Sequence, residues 1–222
     1  MAVSYFRGID VPLLRGLKQH EIDLILGAAK RRRYSKKSVI THQGELADQF
    51  FLLLNGRMRF FFDTTSGRKL VMIWIKPGHV FGASALIFPP VPYLVSTEAI
   101  QDSTALVWDG PTIRSLARQF PQLMMNVFHN SREYLAWYIA THKALAFQDA
   151  SERLADILSG YAHSIGQGVS GGIEFSVTNE ELAHAANISL YTTCRLMSEW
   201  QSSGAIRKQR GRVVLRSPKR LL

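Results

Sequence analysis

The hydrophobic pattern of this chain changes its period near residue 110, and this change is the strongest constraint on the fold. Between residues 38 and 108, apolar residues come in short runs separated by turn residues, and Asn55-Gly56 is the clearest hairpin sequence. From Pro111 onward, apolar residues recur every three or four positions, as on one face of a helix. The pattern predicts an α+β protein in which a β-sandwich or barrel is followed by helices.

A helix is also expected ahead of the strands. Residues 11–33 carry apolar side chains at helical spacing. The basic run Lys30–Arg33 closes this segment, and basic groups suit the C-terminal end of a helix dipole. We therefore predict one helix over residues 11–33.

A long helix is predicted over residues 121–146, and it carries two apolar rows. One row includes Leu123 and Val127, and the adjacent row includes Phe128 and Leu135. One row is expected to pack on the β-rich domain and the other against a second copy of the chain, as in a two-stranded coiled coil. The alternative is one wide stripe buried within the same chain.

The charge balance indicates a polyanionic partner. The chain has 27 Lys and Arg against 17 Asp and Glu, and residues 204–222 hold seven basic groups and no acid. Such an excess suits nucleic acid or an acidic lipid surface, although a basic tail can also serve solubility alone. The basic run near residue 30 is too short and broken for a membrane-binding amphipathic helix, so no membrane partner is expected.

Cysteine usage and apolar run lengths indicate the compartment. The single cysteine, Cys194, excludes an internal disulfide and a cysteine-ligated iron–sulfur cluster within one chain. No apolar run approaches the roughly 20 residues of a membrane span, and the N-terminus does not resemble an export signal. We therefore expect a cytoplasmic protein.

Two short helices separated by a tight break are predicted over residues 178–202. Thr178 and Glu181 have the spacing of a capping box, the break falls at Asn187, and Ser189 is placed to cap the second helix. This is the spacing of a helix-turn-helix motif, whose second helix enters the major groove of DNA.

The residues around this motif extend the DNA-binding interpretation. The second helix would expose Leu190, Tyr191 and Arg195 toward the groove. Its buried side is expected to consist of Thr193, Leu196 and Met197. Behind it, two short strands flank a basic turn that holds Arg210 and Arg212. We expect these strands to form a wing whose arginines contact phosphates.

Several further segments, taken in order, carry a resemblance to a known family. They are PLLRGLKQHEIDLILGAAKRRRYSKKSVITHQGELADQFFLLLNGRMRFFF, the turn at residues 76–82, residues 99–102, and LAFQDASERLADIL at 145–158. With the helix-turn-helix, they resemble the CRP/FNR family of bacterial transcription regulators over nearly the full chain.

The resemblance implies a specific architecture and specific partners. It implies an N-terminal double-stranded β-helix of the cyclic-nucleotide-binding type (a β-roll) as sensor domain over residues 1–120. A dimerisation helix over 121–146 and a winged helix-turn-helix domain over 147–222 would follow. The implied partners are double-stranded DNA, a second copy of the chain and RNA polymerase. No catalytic residue and no metal ligand is expected.

The resemblance carries over to the recognition helix with exceptions. Family members have Ser-Arg-Glu-Thr-x-x-Arg where this chain has residues 189–195. Arg195 matches the position that donates to guanine, and Ser189 and Thr192 match phosphate contacts. Leu190 and Tyr191 replace the usual Arg and Glu. Either side chain is suited to pack on a thymine methyl, although Tyr191 could equally make no base contact.

The effector cassette departs further from the family. Nucleotide-binding members have a Glu after Phe-Gly and an Arg-Ser pair downstream. Here Phe81-Gly82 is followed by Ala83, and Tyr93-Leu94 replaces the Arg-Ser pair. A cyclic phosphate without its arginine loses a charge-assisted contact, so we predict no tight binding of cyclic AMP.

Three kinds of regulation stay open at this point. One is haem-dependent sensing of nitric oxide or carbon monoxide, with candidate ligands His42, His79, His129 and His142. The second is an apolar small molecule held in the β-roll. The third is no ligand at all, with regulation by expression or by oxidation of Cys194. A metal-dependent enzyme on a similar barrel would need a His-x-His pair, which the sequence lacks.

Overall fold

The computed structural model describes residues 9–63, 69–209 and 211–221, and the chain divides after Trp137 into two compact units. In the first unit the elements are α1 (Gln19–Gly27), β1 (Lys30–Tyr34), β2 (Val39–Thr41), β3 (Gln49–Asn55), β4 (Met58–Asp63), β5 (Lys69–Ile75), β6 (Val80–Phe81), β7 (Ser96–Ala99), β8 (Ser103–Asp109) and α2 (Gly110–Gln119). The long helix α3 (Pro121–Phe147) begins in the first unit and ends in the second.

The second unit continues with helices and a small sheet. Its further elements are α4 (Ala150–Ile165), β9 (Gln167–Val169), β10 (Gly172–Ser176), α5 (Asn179–Ala186), α6 (Leu190–Ser202), β11 (Ile206–Gln209) and β12 (Arg212–Leu215). In the described part of the chain, no helix combines the length and apolarity that a membrane span needs. The predicted α+β arrangement, with strands first and helices after, is confirmed.

The strands of the first unit form two antiparallel sheets, in the orders β1-β8-β3-β6 and β2-β7-β4-β5. A buried cluster draws residues from both sheets, so the sheets face each other across it. At its centre the rings of Phe51 and Phe81 stack in parallel with centroids 4.5 Å apart. Burial of such aromatic side chains is the main source of stability for this β core.

A second apolar cluster lies between the β-rich part and the helices of the first unit. It includes Ile25 of α1, Trp108 of β8 and Leu123 of α3, and the Trp108 indole nitrogen donates to the Ile25 carbonyl at 2.7 Å. The Asn126 side chain of α3 donates to the carbonyls of Leu13 and Arg15, both at 2.8 Å. The first half of α3 is therefore fixed to the first unit.

The prediction of one helix over residues 11–33 is wrong. Helix α1 covers only Gln19–Gly27, and the basic run forms strand β1, which pairs with β8 from Lys30↔Val107 to Tyr34↔Ser103. As an edge strand, β1 satisfies its backbone against a buried neighbour while Lys30–Arg33 stay exposed. This long-range pairing outweighs the local helical spacing.

The long helix predicted over residues 121–146 is observed as α3. The N-terminal part of its first apolar row is buried, with Leu123 and Val127 at 0% and 4% exposure. The adjacent row is exposed: Phe128 is 62% exposed and Leu135 is 58% exposed. Tyr138, Ile139 and Leu145 continue the exposed apolar residues along the helix. The two rows therefore differ in their environment within a single chain.

The four glycines of residues 165–172 predict a flexible loop, and this prediction is also wrong. Strand β9 pairs with β10, and together with the wing strands they form one antiparallel sheet in the order β11-β12-β10-β9. Gly171 has φ +88°, in the left-handed region that favours glycine, and it supports the tight turn of this hairpin. The glycines of this segment therefore serve a hairpin turn.

Candidate nucleic-acid interface

Helices α5 and α6 are bounded by the caps that the sequence predicts. Glu181 N–H donates to Thr178 Oγ1 at 3.2 Å, and Thr178 N–H donates to a Glu181 carboxylate oxygen at 2.8 Å. Asn187 ends α5 in the left-handed region at φ 51°, which asparagine tolerates better than most residues. Ser189 then begins α6, so the two helices are separated by a turn of only a few residues.

One side of α6 is buried against the second unit. Thr193, Leu196 and Met197 are buried as predicted, and the Thr193 hydroxyl donates to the Ser189 carbonyl at 3.1 Å. Trp200, which follows Thr193 and Met197 at helical spacing, is also buried and was not predicted. Leu190, Tyr191, Cys194 and Arg195 lie on the opposite, exposed side.

The two residues expected to contact phosphate lie together at the start of α6. Ser189 Oγ accepts a hydrogen bond from the Thr192 N–H at 3.0 Å, and the two hydroxyl oxygens are 2.8 Å apart. Both hydroxyls therefore sit beside the backbone N–H groups of the first turn, where a helix attracts anions.

Arg195 contacts Glu199, which was not among the predicted site residues. Its Nη1 donates to Glu199 Oε1 at 2.7 Å, and both side chains are about half exposed. The separation of four residues on one helix would have indicated this pair. An exposed pair of this kind stabilises by only about 0.3–0.5 kcal/mol, so Arg195 is free to exchange Glu199 for another acceptor.

The predicted wing is present as β11 and β12, which pair from Ile206↔Leu215 to Gln209↔Arg212. Arg212 is 60% exposed, and its Nη1 lies 3.3 Å from a carboxylate oxygen of Glu174 on β10. Arg210 lies outside the described residues. A cleft of about 390 Å³ separates the wing from the start of α5, and Lys208 and Gln201 are among its lining residues.

The effector-pocket candidates near β6 are part of the β core. Phe81 is buried and stacks on Phe51. Gly82 has φ +76°, and a Cβ at this position would lie 2.6 Å from the Gln49 carbonyl oxygen. Ala83 is half-buried and begins a short 3-10 turn over Ala83–Leu86. Only glycine therefore fits between the turn and β3 at position 82.

The downstream candidates Tyr93 and Leu94 lie in opposite environments. Tyr93 is buried, and its hydroxyl donates to the Gln49 carbonyl at 2.9 Å and accepts from the Gln49 N–H at 3.0 Å. Burial raises the pKa of Tyr93 to about 12. Leu94 is 76% exposed. Phe81, Gly82 and Tyr93 thus converge on the start of β3, whereas Leu94 does not join them.

The histidines considered as haem ligands are dispersed. His42, His129 and His142 are exposed. His79 is partly buried, and burial lowers its pKa. Within residues 9–63, 69–209 and 211–221, no three His, Cys, Asp or Glu side chains form a group that could hold a metal ion.

Two regions of the chain match known domain families. Residues 31–120 match the cyclic nucleotide-binding domain family, and residues 152–222 match the Crp-like helix-turn-helix domain family. The chain is 27% identical over 205 residues to the cyclic AMP receptor protein of Thermus thermophilus, and the match covers 92% of each protein.

Solved structures share the fold. A c-di-GMP-responsive global regulator of Xanthomonas campestris superposes with a TM-score of 0.80 at 18% identity, covering 89% of this chain and 99% of that one. A mutant of CooA from Carboxydothermus hydrogenoformans, a CO-dependent transcription factor, gives a TM-score of 0.74 at 22% identity, covering 89% and 88%. The predicted β-roll, long helix and C-terminal helix-turn-helix are thereby confirmed. This chain belongs to the CRP/FNR family of transcription regulators.

Proposed function

We propose that the protein binds a specific duplex DNA site with α6 in the major groove, and that it has no enzymatic activity. The observation that carries this proposal is the exposed side of α6, which holds Leu190, Tyr191 and Arg195 while the opposite side is buried. A recognition helix needs this division, because one side must anchor the helix and the other must reach base edges. Arg195 is placed to donate to guanine in this arrangement.

Phosphate contacts at both ends of the motif would set its register on DNA. The hydroxyls of Ser189 and Thr192 lie at the first turn of α6, and Arg212 extends from the wing. Arg212 would exchange its contact with Glu174 for a phosphate. Arg210, which lies outside the described residues, is proposed to contact phosphate as well. These contacts are sequence-independent and make binding strongly dependent on salt.

We further propose that the protein binds DNA as a homodimer. The exposed apolar residues of α3, including Phe128, Leu135 and Ile139, support this proposal because a second copy of the same helix would cover them. A two-fold dimer would place two recognition helices on a near-palindromic site with half-sites about one helical turn apart. Such a regulator would act in the cytoplasm and would have RNA polymerase as a further partner.

The regulatory signal is proposed to differ from cyclic AMP. Tyr93 and Leu94 stand where a cyclic phosphate would need a cation and a hydroxyl, and the Tyr93 hydroxyl is already bonded to the Gln49 backbone. The same hydroxyl also lies 3.4 Å from an Asp48 carboxylate oxygen. A phosphate brought to this place would meet an acid instead of an arginine.

Selection of binding sites from a random DNA library by the full-length protein tests the proposal directly. We expect enrichment of two-fold symmetric sites, and a complex of two chains per duplex by analytical ultracentrifugation. Affinity should fall steeply between 50 and 200 mM salt, as for proteins that contact many phosphates. Calorimetry should detect no tight binding of cyclic AMP. A monomer that enriches no sequence would overturn the proposal.

A further inference from the structure

The N-terminal tip of α6, formed by Leu190 and Tyr191, is apolar. Leu190 and Tyr191 are 46% and 79% exposed, and the first turn of the helix contains no acidic residue. Cys194, one turn further, is exposed as well. Arg195 is the only cation between residues 190 and 202. Between residues 190 and 195, the exposed side of α6 therefore presents two large apolar side chains, one thiol and one guanidinium.

Base edges in the major groove differ in what such a tip can recognise. Guanine, adenine and cytosine offer hydrogen-bonding groups, whereas thymine alone adds an apolar group, its C5 methyl. A carboxylate would be needed to accept from the cytosine amino group, and Leu190 and Tyr191 occupy the positions where one could stand. Covering a polar base edge with an apolar side chain removes water without supplying a partner, which is unfavourable.

We propose that Leu190 and Tyr191 select thymine in each half-site by packing on its C5 methyl group. The inference rests on the proposed binding of α6 in the major groove, and it names the base that the apolar tip selects. Burial of these side chains against the methyl would also remove their own exposed apolar surface from water.

The helix geometry places this thymine relative to the guanine. Arg195 follows Tyr191 by four residues, and an α-helix rises about 1.5 Å per residue, so the two side chains leave the helix about 6 Å apart. Successive base pairs of duplex DNA are about 3.4 Å apart. The thymine should therefore lie about two base pairs from the guanine that Arg195 contacts.

Replacement of thymine by deoxyuridine isolates the methyl group, because all hydrogen-bonding groups of the base are retained. A site selected by the full-length protein is synthesised with each thymine replaced in turn. At the position that faces the apolar tip, we expect affinity to fall about fourfold, since one methyl contributes about 0.8 kcal/mol and 1.4 kcal/mol is a factor of ten. Replacements outside the contacted bases should change affinity little.

Variants assign the effect to the two side chains. For Leu190→Ala and Tyr191→Ala, the affinity ratio between thymine and deoxyuridine should fall to about one at the position each side chain contacts. Cys194→Ser is the matched control on the same exposed side, and it should keep the wild-type ratio. Thermal melting of all three should match wild type, because exposed side chains contribute little to folding.

The outcomes separate this inference from the proposed function. If the protein binds its selected site but ignores every methyl deletion, thymine selection is overturned while DNA binding stands. Selected half-sites with no thymine within three base pairs of the guanine would overturn it equally. If the protein binds no DNA, the proposed function fails and the inference fails with it.

Discussion

The two sets of candidate site residues occupy opposite environments. On α6, Tyr191 and Arg195 are exposed, and their contacts within the chain are weak or absent among the described residues. In the β-roll, Phe81 and Tyr93 are buried, and the Tyr93 hydroxyl is satisfied by backbone groups. A residue that is exposed and only loosely held is available to a partner. A buried and satisfied residue contributes first to folding, whatever else it does.

Phe81→Ala should produce the largest effect, a loss of folding stability, and it tests the role of the buried residues in the β-roll. Loss of the ring stacked on Phe51 leaves a cavity between the two sheets, and such changes cost about 3–5 kcal/mol. The free energy of unfolding is measured by urea denaturation. Tyr191→Ala is the matched aromatic control and should stay within about 0.5 kcal/mol of wild type. Equal losses in both variants would break the contrast.

Arg195→Ala tests the role of the exposed residues on α6. We expect a loss of about 1–3 kcal/mol in binding to the selected site, and a relaxed base preference at one position of each half-site. The measurement is a titration against sites carrying each of the four base pairs at that position. Stability should be unchanged. A uniform loss across all sequences would instead make Arg195 a phosphate contact.

Tyr93→Phe sharpens the comparison by removing one hydroxyl from the core. Two backbone groups of Gln49 lose their partner, so we expect a loss of about 1–3 kcal/mol in unfolding free energy at neutral pH. The pKa of Tyr93, raised to about 12, gives a second measurement. Since the folded state favours the neutral phenol, wild type should lose stability as pH rises from about 10 to 12.

Comparing the variant with wild type over this pH range isolates Tyr93 from the other tyrosines. The unfolding free energy of Tyr93→Phe should fall less steeply above pH 10, because phenylalanine cannot ionise. Parallel curves for the two proteins would contradict the assignment of a buried, neutral Tyr93.

Arg212→Ala should give the smallest effect. It should weaken binding to all sequences alike and reduce the slope of log affinity against log salt by about one, as expected for one phosphate contact. Glu174→Gln is the matched variant, because it removes the carboxylate that Arg212 contacts in the free protein. That variant should bind DNA slightly more tightly. If the slope of log affinity against log salt is unchanged in Arg212→Ala, the proposed phosphate contact of the wing is contradicted.

Local sequence was sufficient wherever local interactions decide the structure. The boundaries of α5 and α6 were predictable because Thr178, Glu181 and Ser189 make their capping contacts within three residues. The buried side of α6 followed from spacing alone. The same local rules failed for Lys30–Tyr34, because pairing with β8, more than sixty residues away, outweighs helical spacing.

The effector candidates show where sequence reasoning stops. The family resemblance identified Phe81, Gly82 and Tyr93 as candidate effector residues. It did not predict that Phe81 and Tyr93 are buried. The Tyr93 hydroxyl contacts Gln49, which is 44 residues away in sequence. A hydrogen bond of that span depends on the register of several strands, which spacing and composition do not specify.

The uncharged first turn of α6 has a consequence for how the protein would find its site. Attraction to arbitrary DNA would come from the wing and other basic segments, which engage phosphates regardless of sequence. The apolar tip would add nothing at most positions along a genome, because contact with polar edges is unfavourable. Discrimination would therefore appear chiefly as a long residence time where methyl groups are present, with rapid departure from every other position.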